Sequence, residues 1–335
     1  MEKNDLVSVL IPAFNHEGYV DQTIHSIAEQ TYQNIELIII DDGSTDKTKQ
    51  VIEQSLSSCR GKLTRVEFIT KPNEGLIKTI NLGIEKAHGD YLYMIASDDI
   101  AEPDAIETLH AFLGNNKRYG LAVGDNSIID GDSKLCYWTK ERATTYNKLD
   151  AAYLTFGHFL QKQRADIDFS SDTFGSYEAL LQGNHIPNGY LIRKDLIDKI
   201  GGYSIDAPLE DFYIMLQLSK ITYFKFTNKP LLRYRWHETN TIKQKNLLDK
   251  FARLTLEREI PYAKQNMLHH LITNELPIEK KCAVKIMGIK IIELKKKHKK
   301  SRILFCNICL YKNVIKKNKR TISILGIPFF KKKQF

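Results

Sequence analysis

The first third of the chain alternates short apolar runs with stretches of helical spacing, and this rhythm restricts the possible folds more than any other feature. Val7 to Ile11, Ile35 to Ile40, Val66 to Ile69 and Tyr91 to Ile95 are short and rich in Val, Ile and Leu, so they read as buried strands. Between them, Tyr19 to Gln30 places Val20, Ile24 and Ile27 at helical spacing. A second helix is expected to start near Asp46 and a third to cover Leu76 to Ala87. Such alternation predicts an α/β fold with a mostly parallel sheet flanked by helices. Ligands of these sheets bind beyond the carboxyl ends of the strands, so the residues that follow each strand are the candidates for chemistry. From 120 to 240 the pattern loosens into a mixed subdomain, and no internal repeat is read anywhere.

Each expected strand ends in a polar signature. The first ends Pro12-Ala13-Phe14-Asn15 and the second Asp41-Asp42-Gly43-Ser44-Thr45-Asp46. The third leads to Asn73-Glu74-Gly75, and the fourth ends Ser97-Asp98-Asp99. Acids and amides gathered at one sheet edge repel unless they meet a cation or donors such as sugar hydroxyls and base N–H groups. Residues 42 to 46 also suit a turn with Asp46 as a helix cap.

Six stretches, in order over roughly the first 240 residues, resemble the inverting family 2 glycosyltransferases of the GT-A, Rossmann-like fold. They are VSVLIPAFN (Val7 to Asn15), IELIIIDDGSTDKT (Ile35 to Thr48), NEGLIKTINLGI (Asn73 to Ile84), GDYLYMIASDD (Gly89 to Asp99), IGGYSIDAPLEDF (Ile200 to Phe212) and YRWH (Tyr234 to His237). The resemblance implies that Pro12, Ala13, Phe14 and Asn15 line a nucleotide pocket, Phe14 stacking on the base. It gives Asp42 the uracil N–H, Asn73 a place in the same pocket, and Asp98 a position near the ribose. Asp99 and His237 are implied ligands of Mn²⁺ or Mg²⁺ at the diphosphate, although Ala96 stands where many relatives carry another acid. Where relatives carry an arginine this chain has Ile80, so Lys78 is the candidate phosphate contact; it also reads as a solvated helix lysine.

On the acceptor side, Asp211 is the implied base and Glu210 the residue that orients acceptor or loop. Both also suit the negatively charged opening of a helix over Phe212 to Leu218. The segment Asn184 to Arg193 is expected to border the sugar pocket. The implied activity is inverting transfer of a sugar from a UDP-sugar, or a dTDP-sugar, to a lipid-diphosphate-linked or growing glycan acceptor, as in bacterial O-antigen and capsule polysaccharide synthesis. A non-catalytic carbohydrate- or nucleotide-binding relative is the alternative. A nucleotidyltransferase is disfavoured because no Gly-rich phosphate loop bearing Arg or Lys follows the first strand.

Composition matters through its distribution. The formal net charge of +9 sums a tail, Lys280 to Phe335, with 18 Lys or Arg against the single acid Glu293, and a remainder of net −8. Tail lysines interleave with apolar segments at Ile286 to Leu294, Ile303 to Leu310 and Ile322 to Phe330. That mixture suits an anionic membrane surface, on the order of 1 kcal/mol per basic residue. No nucleic-acid motif accompanies it. The ending from Ile324 to Lys331 also resembles the C-termini of some bacterial envelope-polysaccharide glycosyltransferases. The expected organisation is a catalytic domain over 1–240, with a nucleotide-sugar half (1–115) and an acceptor half (116–240). A helical, basic, membrane-associating region follows over 241–335. With no signal peptide read and no apolar run near ~18 residues, a cytoplasmic protein peripheral on the inner face of the plasma membrane is expected. Cys306 and Cys309 form a lone CxxC pair, and the five cysteines read as unpaired thiols.

Overall fold

In the computed structural model, the structure describes residues 5–59, 61–238, 240, 243–268 and 270–272, and the strands that lie between 280 and 333. The expected rhythm takes the form β1 (Val7–Ala13), α1 (Val20–Ala28), β2 (Ile35–Asp41), α2 (Thr48–Ser58), β3 (Arg65–Thr70), α3 (Leu76–Lys86) and β4 (Tyr91–Met94). The looser stretch gives β5 (Ile100–Ala101), α4 (Ala105–Asn115), β6 (Tyr119–Ile129), β7 (Leu135–Trp138), β8 (Thr144–Thr145), α5 (Phe156–Gln163) and α6 (Tyr177–Leu180). It closes with β9 (Tyr190–Arg193), α7 (Lys194–Ile200), α8 (Glu210–Ser219), β10 (Tyr223–Arg235) and α9 (Lys245–Gln265).

The main sheet runs β3-β2-β1-β4-β9-β6-β10-β5, with β7 added beside β6 and β8 beside β7. β1 pairs in parallel with β2 and β4, and β2 with β3. β9 then enters antiparallel between β4 and β6, while β6 and β10 are parallel to each other. Because the chain runs outward through β2 and β3 and then crosses back to β4, the order reverses between β1 and β4. A crevice opens at such a switch point, beyond the carboxyl ends of the strands.

Burial explains why the strands read as continuous apolar runs. All seven residues of β2 are buried, which happens when helices cover both faces of a sheet. One face packs Val9, Ile11, Leu37 and Ile39 with Ile24 and Ile27 of α1 and Leu109 of α4. On the other, α3 lies against β1 so closely that a Cβ at Gly83 would sit 2.1 Å from Leu10 Cδ1.

By its contacts the chain forms two units, Met1–Arg258 and Glu259–Phe335. The second corrects two expectations. The extension is helical through α9, but from Lys280 the chain forms β11 (Lys280–Ile286), β12 (Ile289–Lys297), β13 (Lys300–Phe305), β14 (Ile308–Lys316), β15 (Lys319–Ile324) and β16 (Ile327–Lys333). These pair with their sequence neighbours in one antiparallel sheet. The strand ends Ile286, Phe305 and Ile324 recur every 19 residues, as do the strand starts Ile289, Ile308 and Ile327. Val284, Ile303 and Ile322 keep the same period, with Gly288, Asn307 and Gly326 in the intervening dipeptides. The tail is therefore an internal repeat. β-Branched residues at alternate positions, with a dipeptide ending in Gly or Asn between them, favour a hairpin over a helix. Cys306 of the CxxC pair lies outside the described residues. Among the described residues, no helix is long and apolar enough to cross a membrane.

Candidate active site

A cavity of about 560 Å³ opens at the switch point. Pro12, Ala13 and the 43% exposed Phe14 carry its wall out from β1. Asn73, Gly75, Leu76 and Thr79 contribute from the loop before α3 and from α3 itself. That loop is fixed from β2: Asp42 Oδ1 accepts the N–H of Glu74 at 2.9 Å and Oδ2 that of Gly75 at 3.0 Å. Lys71 Nζ also donates to Oδ1. Burial raises the Asp42 carboxyl, but the hydrogen bond from Lys71 and the loop N–H outweigh it and hold the group below the usual range. Gly43 (φ +72°) makes this turn possible, since a Cβ there would stand 2.6 Å from Asn73 N.

Asn15, expected in the nucleotide pocket, instead secures the loop after β2. At φ +51° it accepts the Thr45 N–H at 2.8 Å and donates its own N–H to Ser44 Oγ at 3.0 Å. It is not part of the cavity wall, and neither is Lys78, which pairs with Glu74 at 3.1 Å and is 57% exposed. Ile80 is in the wall.

The acidic turn after β4 is held from β10. Arg235 is fully buried; its N–H donates to Asp99 Oδ1 at 2.9 Å and its Nε to Asp98 O at 2.6 Å. Its terminal nitrogens reach Asp130 O, Ser133 Oγ and Gln22 Oε1, and the guanidinium lies 4.7 Å from the Tyr19 ring centre. Replacing Arg235 by Met leaves the buried Asp98 O and the part-buried Asp130 O without their donor and is expected to lower stability by about 3 kcal/mol. Lysine should restore only part, because a point charge does not reproduce the guanidinium fork. Thermal melting checks this: an unchanged melting temperature for Arg235→Met would rule out the pinning role.

Asp98 Oδ2 accepts from His237 Nε2 at 2.9 Å and lies 4.0 Å from His16 Nε2. The ligand atoms of His16, Asp98 and His237 all lie within 4.8 Å of one another. Asp99, the expected metal ligand, falls outside this group. Its Oδ2 is buried with no hydrogen bond of ordinary geometry, the Asn188 amide being the side chain beside it that favours its charge. Burial, then the negative charge of Asp98, pushes the Asp99 carboxyl well above the usual range. Two imidazoles and a carboxylate fit a divalent cation.

Glu210 and Asp211 open α8, as expected, and both reach the cavity. Asp211 Oδ1 accepts the Phe212 N–H at 2.6 Å, and Asn184 Nδ2 lies 3.4 Å from Oδ2. The residue keeps surface toward the cavity, yet protein surrounds it densely. That burial, then the charge of Glu210, raises its carboxyl to about 6. Asn188 and Gly189 line the same cavity, as does Tyr190, whose hydroxyl meets that of Tyr203 at 2.9 Å.

The charge balance of the wall is one-sided. It contains five carboxylates, Asp42, Asp98, Asp99, Glu210 and Asp211, and among the described residues no Lys or Arg. Sequence reading missed His16 and the buried Arg235. His16 stands one position past the polar end assigned to the first strand, and Arg235 sits inside the YRWH motif.

A model of the family described as glycosyl transferase family 2 matches residues 8–176. Over 151 residues, 45% of this chain, it is 43% identical to an uncharacterized glycosyltransferase of Haemophilus influenzae, of which the match spans 56%. Glycosyltransferase GlyG of Streptococcus pneumoniae is 29% identical over 238 residues, 69% of this chain and 71% of its own length. Chondroitin synthase of Pasteurella multocida is 39% identical over 131 residues, 39% of this chain but 13% of the synthase. The chain thus spans little more than half of the Haemophilus protein and a small part of the synthase. Among solved structures, S. aureus TarS 1–349 in complex with UDP-GlcNAc superposes with a TM-score of 0.55 at 16% identity, over 81% of this chain and 72% of that one. The mannosyltransferase PcManGT from Pyrobaculum calidifontis, in complex with GDP-Man and Mn²⁺, gives 0.54 at 13%, over 82% and 70%. These likenesses bear on the fold, which is GT-A.

Proposed function

The chain belongs to glycosyl transferase family 2, and on that premise we propose that it transfers a sugar with inversion from a nucleoside-diphosphate donor to an acceptor hydroxyl, with a divalent cation. The observation that carries this reading is one cavity holding the His16, Asp98 and His237 cluster and a carboxylate raised to about 6, with no Lys or Arg among its described wall residues. A bound cation would offset the repulsion between an anionic diphosphate and such a wall.

Asp98 and His237 would hold Mn²⁺ or Mg²⁺, with Asp99 behind them tying the acidic turn to β10. A cation bound there supplies charge neutralisation for the diphosphate and its leaving oxygen. Pro12, Ala13, Phe14 and Asn73 receive the nucleotide, Phe14 offering its exposed ring to the base. Asp42 keeps the role of base N–H acceptor, with Lys71 as its counter-ion, and Asn15 supports the pocket from behind. Lys78 remains at most a rim cation. Asp211 takes the proton of the acceptor hydroxyl as that oxygen bonds to the anomeric carbon. The anomeric carbon–oxygen bond to the diphosphate breaks, and the nucleoside diphosphate leaves with the electron pair. Glu210 keeps the Asp211 carboxyl basic and orients the acceptor.

The donor is a UDP-sugar or dTDP-sugar, and the acceptor a lipid-diphosphate-linked or growing glycan of bacterial surface polysaccharide. TarS, whose fold is shared, was solved with UDP-GlcNAc. The basic tail supports a membrane-borne acceptor and a place on the cytoplasmic face of the plasma membrane. The division of labour is catalysis over 1–240 and membrane association over 241–335. A panel of sugar donors, with and without lipid-linked acceptors, tests the reaction. Nucleoside diphosphate release that depends on acceptor is expected; pyrophosphate release would mean nucleotidyl transfer, and no turnover a binding relative. Deleting residues from 280 onward should release the protein from anionic vesicles while transfer to a soluble acceptor persists. Vesicle binding that survives the deletion would overturn the membrane role.

A further inference from the structure

His16 belongs to the cluster described above but has been given no role of its own. The chain reaches it through the left-handed Asn15, and its backbone N–H is fixed by Thr48 Oγ1 at 2.8 Å, so the ring is held at the cavity wall. Ser97 Oγ meets its Nδ1 at 2.7 Å, which fixes the ring and leaves Nε2 facing Asp98. A hydrogen bond on one ring nitrogen is the usual way a ligating imidazole is oriented. The His16 and His237 rings stand edge to face at 89°, centroids 6.2 Å apart, with Asp98 Oδ2 within 4.0 Å of both Nε2 atoms. Nitrogen or oxygen donors on one ion at ~2.1 Å lie at most ~4.2 Å apart, so the observed spread within 4.8 Å needs only a small closure.

We infer that His16 is a third protein ligand of the divalent cation, and that its imidazole, with that of His237, makes the site prefer Mn²⁺ to Mg²⁺. The inference rests on the cation reading of the cavity. Mg²⁺ keeps its waters and selects hard oxygen donors, whereas imidazole nitrogen favours first-row transition ions. Two nitrogens against one carboxylate therefore tilt the site away from Mg²⁺.

The test measures ion binding by the full-length protein, with Mn²⁺ followed by loss of its free-ion paramagnetic resonance signal and Mg²⁺ by competition, with and without UDP. Wild type should bind Mn²⁺ at least ~10-fold more tightly than Mg²⁺. His16→Gln should lose ~10-fold or more in Mn²⁺ affinity while Mg²⁺ affinity changes little, collapsing the ratio. His16→Asp, which keeps an oxygen ligand, should bind the two ions comparably. If both substitutions leave the ratio at its wild-type value while Asp98→Asn abolishes binding, the cation site stands and His16 is not part of it. If wild type binds neither ion in either condition, the cation reading fails and this inference with it. Circular dichroism of each variant separates loss of a ligand from loss of fold; should His16→Gln unfold, the ratio in His16→Asp decides alone.

Discussion

Asp211→Asn is expected to cut turnover by on the order of a thousandfold while leaving donor binding intact. Asparagine keeps the shape and can still accept the Phe212 N–H, but it cannot take a proton from the acceptor. The wild-type carboxyl, raised to about 6 by burial and then by Glu210, is a stronger base than an ordinary aspartate yet largely ionised at neutral pH. Turnover should therefore fall as pH drops through about 6, where Asp211 takes up its proton. Glu210→Gln removes one of the two causes and should move that midpoint lower. The stability effect has the opposite sign. A carboxyl raised in the folded state binds its proton more tightly there than in the unfolded chain. Its ionisation therefore disfavours the fold as pH rises from the ordinary carboxylate range through about 6. Asp211→Asn should accordingly melt no lower than wild type at pH 7, the gain being small because the residue retains exposed surface. A variant with near-normal turnover, or a flat wild-type rate from about pH 5 to 7, would remove Asp211 from the reaction.

Chelation of divalent ions should stop transfer, and Asp98→Asn should reduce it by about a hundredfold or more even with Mn²⁺ supplied. The argument is one of sign. Like charges about 5 Å apart repel by roughly 3 kcal/mol at an effective dielectric constant near 20. A diphosphate beside Asp98 meets that repulsion, and no Lys or Arg of the described wall offsets it. The variant keeps a similar side-chain volume, so its loss reports charge and ligation. Assays after chelation, then after return of Mn²⁺ or Mg²⁺, give the result directly. Undiminished turnover in the chelated protein would remove the divalent cation from the reaction.

The parts of the fold that were legible are those where local pattern and tertiary burial agree. β2 is apolar throughout because both its faces are covered, and α3 begins just past Gly75, as its spacing predicts. The site was legible at the level of turns, since a doubly wound sheet brings its strand ends to one crevice whatever the side chains do. Atomic roles were less so. Whether Asp98 or Asp99 faces the histidines depends on how one turn is pinned by Arg235, a residue more than a hundred positions away. Asn15 and Lys78 read as binding residues because Asn and Lys suit ligands and structure equally; in the fold they meet Thr45 and Glu74. The tail misled for another reason: Lys, Ile and Leu in mixture satisfy a helical pattern loosely. Its period is carried by a few apolar positions, while aligned residues such as Cys282, Ser301 and Arg320 share nothing.

The 19-residue spacing of the tail has an evolutionary consequence. Each strand of that sheet pairs only with its neighbours in the chain, so the segment grows in one dimension, as stacked repeats do. Adding or removing one whole 19-residue unit preserves the register of the remaining strands, whereas an insertion of one residue within a strand shifts its side chains to the other face. Whole units are thus the natural step in which this segment changes length. Unequal exchange between repeats of the gene can lengthen or shorten it in steps, changing the number of basic hairpins without touching the residues that surround the cavity.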